Sequence, residues 1–167
     1  MSTTPLTSIE FRQALGQFAS GVTIITTERA PGKVHGMTAS SFASVSLDPP
    51  LVLVCIDHRA RMLSILQEQK RFGVSILKEN QDEISEYFAQ PEQDENEETT
   101  LGIKFRLSPT GIPVLENTLV QLGCNVVANH VSGDHTVFIG EVVSAEIHHG
   151  RPLLHFRGDY HRLAPNQ

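Results

Sequence analysis

The chain has 167 residues, 40% hydrophobic and 19% charged, with 12 Gly and 9 Pro. That composition suits a single globular domain over 1–167, not a disordered or collagen-like chain. The formal net charge of -6 lacks the basic balance that a phosphate backbone demands, so no nucleic-acid partner is expected. The longest unbroken apolar run, Leu51 to Ile56, is far shorter than the roughly 18–20 residues that cross a bilayer, so no membrane role is expected either. Met1 to Phe11 carry neither a basic nor an apolar leader pattern. Cys55 and Cys124 are too few for a disulfide framework and read as buried free thiols, which suits a reducing cytoplasm.

In chain order, Thr7 and Glu10 have the spacing of a capping box. Phe11, Ala14, Leu15 and Phe18 then recur as one apolar helical stripe, which Gly21 is expected to end. Val22 to Thr27 is β-branched and reads as a strand, and Pro31, Gly32 and Lys33 turn the chain into a partner beginning at Val34. Hydroxyls then crowd Thr38, Ser40, Ser41, Ser44 and Ser46, before a rigid turn at Asp48, Pro49 and Pro50. Leu51 to Ile56 has the continuous apolar pattern of a strand buried on both faces. Asp57 is placed to cap a helix carrying Met62, Ile65 and Leu66, with Arg59 and Arg61 at its start.

Phe72 to Leu77 is a further strand, and Gln81 to Phe88 a short helix. Glu92, Asp94, Glu95, Glu97 and Glu98 then crowd a stretch whose self-repulsion predicts a solvated, mobile loop over about 91–100, or an acidic docking patch. Leu119 to Val131 and Thr136 to Ile147 form a long hairpin around Ser132, Gly133, Asp134 and His135, and Pro152 to Phe156 is the last strand. Six or seven strands against two or three short helices, without β–α alternation, predict a mainly β fold. A small antiparallel barrel with peripheral helices satisfies that order, because closure removes exposed sheet edges.

Metal and nucleophilic chemistry find little support. His148 and His149 are adjacent and would point to opposite strand faces, and no HExxH or CxxC spacing occurs near His130 or His135. Ser40 and Ser41 lack the GxSxG elbow of a nucleophile. The hydroxyl-rich segment has another use: backbone N–H groups and small hydroxyls can bond the edge of a flat heteroaromatic ring. Arg61, near a helix start, can fork onto phosphate oxygens. A flavin mononucleotide moiety needs that pairing. Composition alone favours the plainer alternative, in which the hydroxyls fill small barrel positions and the arginines are solvated.

The string GMTASSFASVSLDPPLVLVCIDHRARM, Gly36 to Met62, resembles the signature of the short-chain flavin reductase family. These NAD(P)H:flavin oxidoreductases serve as components of two-component flavin-dependent monooxygenases. Three further blocks are similar to the family pattern: FRQALGQFASGVTIITT at Phe11 to Thr27, GDHTVFIGEV at Gly133 to Val142, and PLLHFRGDYHRL at Pro152 to Leu163. The resemblance covers nearly the whole chain in order.

It implies a split β-barrel (an antiparallel Greek-key barrel of FMN-binding type), usually a homodimer with flavin beside the interface. It implies Thr38, Ala39, Ser40 and Ser41 at the isoalloxazine edge and ribityl chain, with Ser46 in the same wall. Cys55, Ile56 and Asp57 would lie beneath the ring or ribityl chain, and Arg61, with Met62 beside it, would take the phosphate. His135 resembles the family histidine near the nicotinamide, and Phe156 and Tyr160 would line the same pocket. The cofactors implied are FMN or FAD with NADH or NADPH, and the partner a monooxygenase. Many relatives carry Asn where this chain has Ser40, and the acidic stretch departs from the family pattern. Two alternatives remain at this stage: an FMN-dependent oxidase of the pyridoxamine-phosphate type, and a non-catalytic flavin- or haem-binding split barrel.

Overall fold

The computed structural model describes residues 5–164. Its elements in chain order begin with α1 (Ser8–Leu15), β1 (Ser20–Gly21), β2 (Thr23–Ala30), β3 (Lys33–Ala39), β4 (Phe42–Leu47) and β5 (Pro50–Asp57). Next come α2 (Arg61–Gln69), β6 (Arg71–Ile76), α3 (Asp82–Ala89), α4 (Glu95–Thr100), β7 (Phe105–Leu107) and β8 (Pro113–Leu115). The chain ends with β9 (Val120–Ser132), β10 (His135–Ile147), β11 (Leu153–Phe156) and β12 (Asp159–Arg162). The main sheet has the order β3-β2-β6-β9-β10-β5-β4, with every neighbouring pair antiparallel.

That order forces closure. The edge strands β3 and β4 are consecutive in sequence and joined only by Ser40 and Ser41. Laid flat, seven strands would hold the edges about 29 Å apart. A two-residue link spans about 11 Å at most. The sheet therefore curls until its edges meet, giving the expected barrel.

The interior is filled by Ile25, Val54, Ile56, Phe72, Val74, Cys124 and Phe138, and α2 adds Met62 and Leu66. Burying each of those two α2 side chains contributes about 1.5–3 kcal/mol. A second apolar cluster lies outside the barrel, where Val22, Ile24 and Leu77 meet Tyr87 and Phe88 of α3. Gly36 on β3 permits this packing, since a Cβ there would sit 2.5 Å from the Phe88 ring.

Several local expectations are corrected. The capping box at Thr7 and Glu10 forms, but α1 ends at Leu15 with Gly16 as its C-cap, and Gly21 belongs to β1. The chain turns early because Ser20 pairs with His155 of β11. β5 alternates: Val52, Val54 and Ile56 are buried, while Leu51, Leu53, Cys55 and Asp57 are only partly covered on the other face. Its continuous apolar pattern thus does not mean burial on both faces. Asp57 does not cap α2, whose N-cap is Ala60 without a side-chain acceptor.

The acidic stretch contains the short helix α4 where a loop was expected. The Tyr87 hydroxyl donates to the carbonyl of Asp94 and to Glu98, and the Gln93 amide donates to the Gly36 carbonyl. The side chain of Glu95 lies outside the described residues. A strand absent from the sequence reading, β12, returns from β11 through Arg157 and Gly158, both at positive φ as a tight hairpin turn requires.

Gly36→Ala is expected to lower stability by about 1–3 kcal/mol through overpacking against Phe88. At Gly21 a Cβ meets nothing within 4 Å, so Gly21→Ala should stay within about 0.5 kcal/mol of the parent. Urea unfolding of both variants checks the pair, and equal midpoints would refute the packing argument.

Candidate active site

The closing link of the barrel is held from both sides. The Thr23 hydroxyl donates to the Ala39 carbonyl at 2.7 Å, and the Ser41 hydroxyl donates to the Cys55 carbonyl at 3.0 Å. The Cys55 N–H returns to the backbone and side-chain oxygens of Ser41, each at 3.3 Å. Ser40, between these anchors, is exposed, and its hydroxyl makes no hydrogen bond among the described residues. Ala39 is buried, and Ser46 is half-buried opposite Leu51 of β5.

Register brings a second group alongside. His135 lies directly across from Asp57, and Val137 from Cys55, so these four side chains share the outer face of β5 and β10. His135 Nδ1 is 2.7 Å from Asp134 Oδ1. A carboxylate only accepts, so Nδ1 carries the proton and Nε2 is left for another partner. Asp57 accepts from the Arg59 backbone N–H at 2.8 Å and from its guanidinium at 2.7 and 3.1 Å. Those bonds hold its carboxyl well below the usual carboxylate range, and the His135 side chain adds to the effect. Bonding to His135 likewise lowers the Asp134 carboxyl. Two carboxylates thus flank the imidazole. His58 ties the strand ends together, through its N–H to the Asp134 carbonyl and its Nε2 against Thr136 Oγ1 at 3.1 Å.

Thr38 belongs to a different cluster. Its hydroxyl donates to the Ser85 carbonyl on α3 at 2.7 Å, leaving only its lone pairs for a ligand. The Tyr160 hydroxyl donates to Ser85 Oγ at 2.8 Å, so α3 fixes both Thr38 and the β11–β12 hairpin. Phe156 is half-buried on that hairpin, edge-on to His161 with the Arg157 guanidinium over its ring. Among the described residues, no hydrogen bond joins the hairpin to Ser40, Ser41 or His135.

The remaining candidates divide between core and cavity. Ile56 and Met62 are fully buried, so their side chains pack the barrel and only their backbone can meet a ligand. Arg61 is exposed at the start of α2 and lines a cavity with His35 and Arg29. Burial raises the Cys55 thiol, and pushes that of Cys124 up to about 12, so neither is a thiolate at neutral pH. Ser85 and Asp134 are the site neighbours that the sequence did not single out, and Arg59, expected only at the helix start, holds Asp57 instead. Only Asp134, inside the Gly-Asp-His turn, carried a visible signal.

With this geometry in view, residues 15–164 match the model of the flavin reductase like domain. An NADH-dependent flavin reductase of Rhodococcus sp is 43% identical over 160 residues, covering 95% of this chain and 88% of that protein. The reductase component of 4-hydroxyphenylacetate 3-monooxygenase from Thermus thermophilus is 36% identical, covering 92% of this chain and 95% of the relative. The solved structure of flavin reductase PheA2 in its native state superposes with a TM-score of 0.86 at 43% identity. It covers 96% of this chain and all of its own. The chain belongs to the flavin reductase like domain family.

For a member of this family, the segment from Thr38 to Ser41 offers what a flavin edge needs: an exposed hydroxyl at Ser40, free lone pairs on Thr38, and a backbone fixed on both sides. The residues present fit the group. Ser85→Ala removes the acceptor of the Tyr160 hydroxyl while keeping the backbone carbonyl that holds Thr38. It is expected to lower stability by about 1 kcal/mol and to weaken flavin binding modestly, through a Tyr160 no longer anchored beside the pocket. Urea unfolding and a flavin fluorescence titration on one preparation test both halves.

Proposed function

We propose that this chain is an NAD(P)H:flavin oxidoreductase that reduces FMN or FAD and supplies the reduced flavin to a partner monooxygenase. The observation that carries the reading is the fixed Ala39–Ser41 link, which presents the free Ser40 hydroxyl beside the shared face of Cys55, Asp57 and His135. When bound, a flavin accepts hydride at its ring and so supplies the redox chemistry. The chain's own task is to hold two flat rings at reacting distance and to stabilise the charge that develops. No side-chain nucleophile is needed for that, in keeping with two protonated cysteines and unactivated serines.

In this reading Thr38, Ala39, Ser40 and Ser41 hold the ring edge and ribityl chain, and Ser46 adds to that wall. Cys55, the Ile56 backbone and Asp57 lie beneath, Arg61 holds the phosphate with the Met62 backbone beside it, and Phe156 and Tyr160 close the pocket. His135 orients the nicotinamide through Nε2, the ring nitrogen that Asp134 leaves open. A homodimer is part of the proposal. α1 buries none of its residues, and Leu6, Ile9, Phe11, Leu15 and Phe18 are exposed around it, an apolar surface that a second copy would cover. Two free thiols suit a reducing cytoplasm.

Aerobic oxidation of NADH and NADPH, with and without added FMN, FAD or riboflavin, tests the activity. Oxidation that requires added flavin and saturates with it is expected. Its absence under every combination would overturn the reading and move the oxidase or the binding protein forward. His135→Ala is expected to raise KM for the nicotinamide nucleotide by about tenfold, equivalent to losing about 1.4 kcal/mol, with flavin affinity nearly unchanged. Equal losses on both would refute its assignment.

A further inference from the structure

His135 opens β10 with two carboxylates in reach, and among the described residues only Asp134 is bonded to it. Asp134 Oδ1 lies 2.7 Å from Nδ1. Asp57 lies directly across the β5–β10 ladder, where opposed Cβ atoms stand about 4.5–5.5 Å apart. An imidazole has two ring nitrogens, so a second carboxylate at this position can capture the one that Asp134 leaves open. Asp57 turns to Arg59 instead.

Arg59 follows Asp57 by two residues, in the link to α2. Its Nε reaches Oδ1 at 3.1 Å, its Nη2 reaches Oδ2 at 2.7 Å, and its backbone N–H reaches Oδ1 at 2.8 Å. Those three bonds occupy most of the roughly four accepting positions of the carboxylate. The Arg59 side chain is 86% exposed, and an exposed ion pair adds little to stability. Its consequence lies in the orientation and charge of Asp57. The charged groups here sense one another. Bonds from Arg59 hold the Asp57 carboxyl below its usual range, His135 adds to that effect, and Asp57 opposes the lowering of Asp134 by His135. On the other side of the ring, β9 sets the uncharged Ser132 opposite His135, and His58 turns its Nε2 to Thr136 Oγ1 at 3.1 Å.

We propose that Arg59 is a positioning residue: by engaging both oxygens of Asp57 it keeps that carboxylate off His135 Nε2 and leaves this nitrogen open to the nicotinamide. The inference rests on the proposed reductase reading, in which His135 orients that ring. With Nδ1 bonded to Asp134, a neutral His135 offers its Nε2 lone pair, which can accept from the carboxamide N–H of a nicotinamide. An imidazole held by two carboxylates favours the imidazolium, and its Nε2–H would be spent on Asp57. Loss of Arg59 therefore turns an acceptor for the nucleotide into a donor to the protein. A raised His135 midpoint means that, as pH falls, the acceptor disappears at a higher pH.

Proton NMR titration of the full chain without added nucleotides tests this apart from turnover, with the His135 resonance identified by its loss in His135→Ala. Arg59→Gln is expected to raise the proton affinity of His135 about threefold or more, moving its midpoint up by about half a pH unit. Removing a nearby cation would by itself move the midpoint the same way, so Asp57→Asn completes the cycle. In that background Arg59→Gln is expected to move the midpoint less than about a third as far. With FMN as acceptor, KM for NADH in Arg59→Gln is expected to begin rising on acidification about half a pH unit above wild type, with kcat little changed. An unmoved midpoint, or an equal shift in the Asp57→Asn background, would overturn the proposal. So would a moved midpoint beside an unchanged KM profile in a chain that oxidises NADH. The expected midpoint shifts in a chain that oxidises no NADH with any flavin would refute the reductase reading and leave Arg59 in control of Asp57.

Discussion

The shortness of one connection governs this molecule. Ser40 and Ser41 must bridge the two edge strands of a seven-stranded sheet, so they become the seam along which the barrel closes. A seam has incomplete strand pairing, and its backbone groups need other partners. Here Thr23 and Cys55 supply them, which fixes the link without covering Ser40. A rigid segment that is narrow, polar and open at one point is well suited to a flat ring, and closure of the fold produces it without further expense.

Around that seam, α3 holds several features in place. Ser85 takes Thr38 through its carbonyl and Tyr160 through its hydroxyl, Phe88 rests on Gly36, and Tyr87 reaches the acidic segment. Residues 85 and 88 are three apart and share the face turned toward β3. One short helix thereby connects the proposed flavin segment, the C-terminal hairpin and the acidic segment.

Much of the architecture was legible because it follows from pattern. The β-branched runs of β2, β9 and β10, the turn chemistry at Gly133, and the lack of β–α alternation all point to an antiparallel barrel. The errors have specific physical causes. Apolar Leu51 and Leu53 suggested a doubly buried β5, yet their face is only partly covered in the single chain, the same face that carries Cys55, Asp57 and His135. Asp57 looked like a helix cap because sequence spacing cannot foresee that Arg59, two residues on, would capture its carboxylate. Like charges in the acidic stretch argued for a loop, but Tyr87 and Gln93 tether that stretch through bonds that no local window contains.

The candidate site was legible residue by residue and much less so as an arrangement. The hydroxyl pattern singled out Thr38 to Ser41, but not that Thr38 would spend its proton on α3, which makes it an acceptor for any ligand. Arg61 was expected at a phosphate, but not that Arg29 and His35, distant in sequence, would stand with it. Antiparallel pairing of β2 with β3 sets Arg29 and His35 near one end of the hairpin, while α2 delivers Arg61 from above. Helix contacts and strand register therefore determine which charges converge. Residue type and spacing identify the chemical groups, and only the closed barrel determines which of them can act on one ligand.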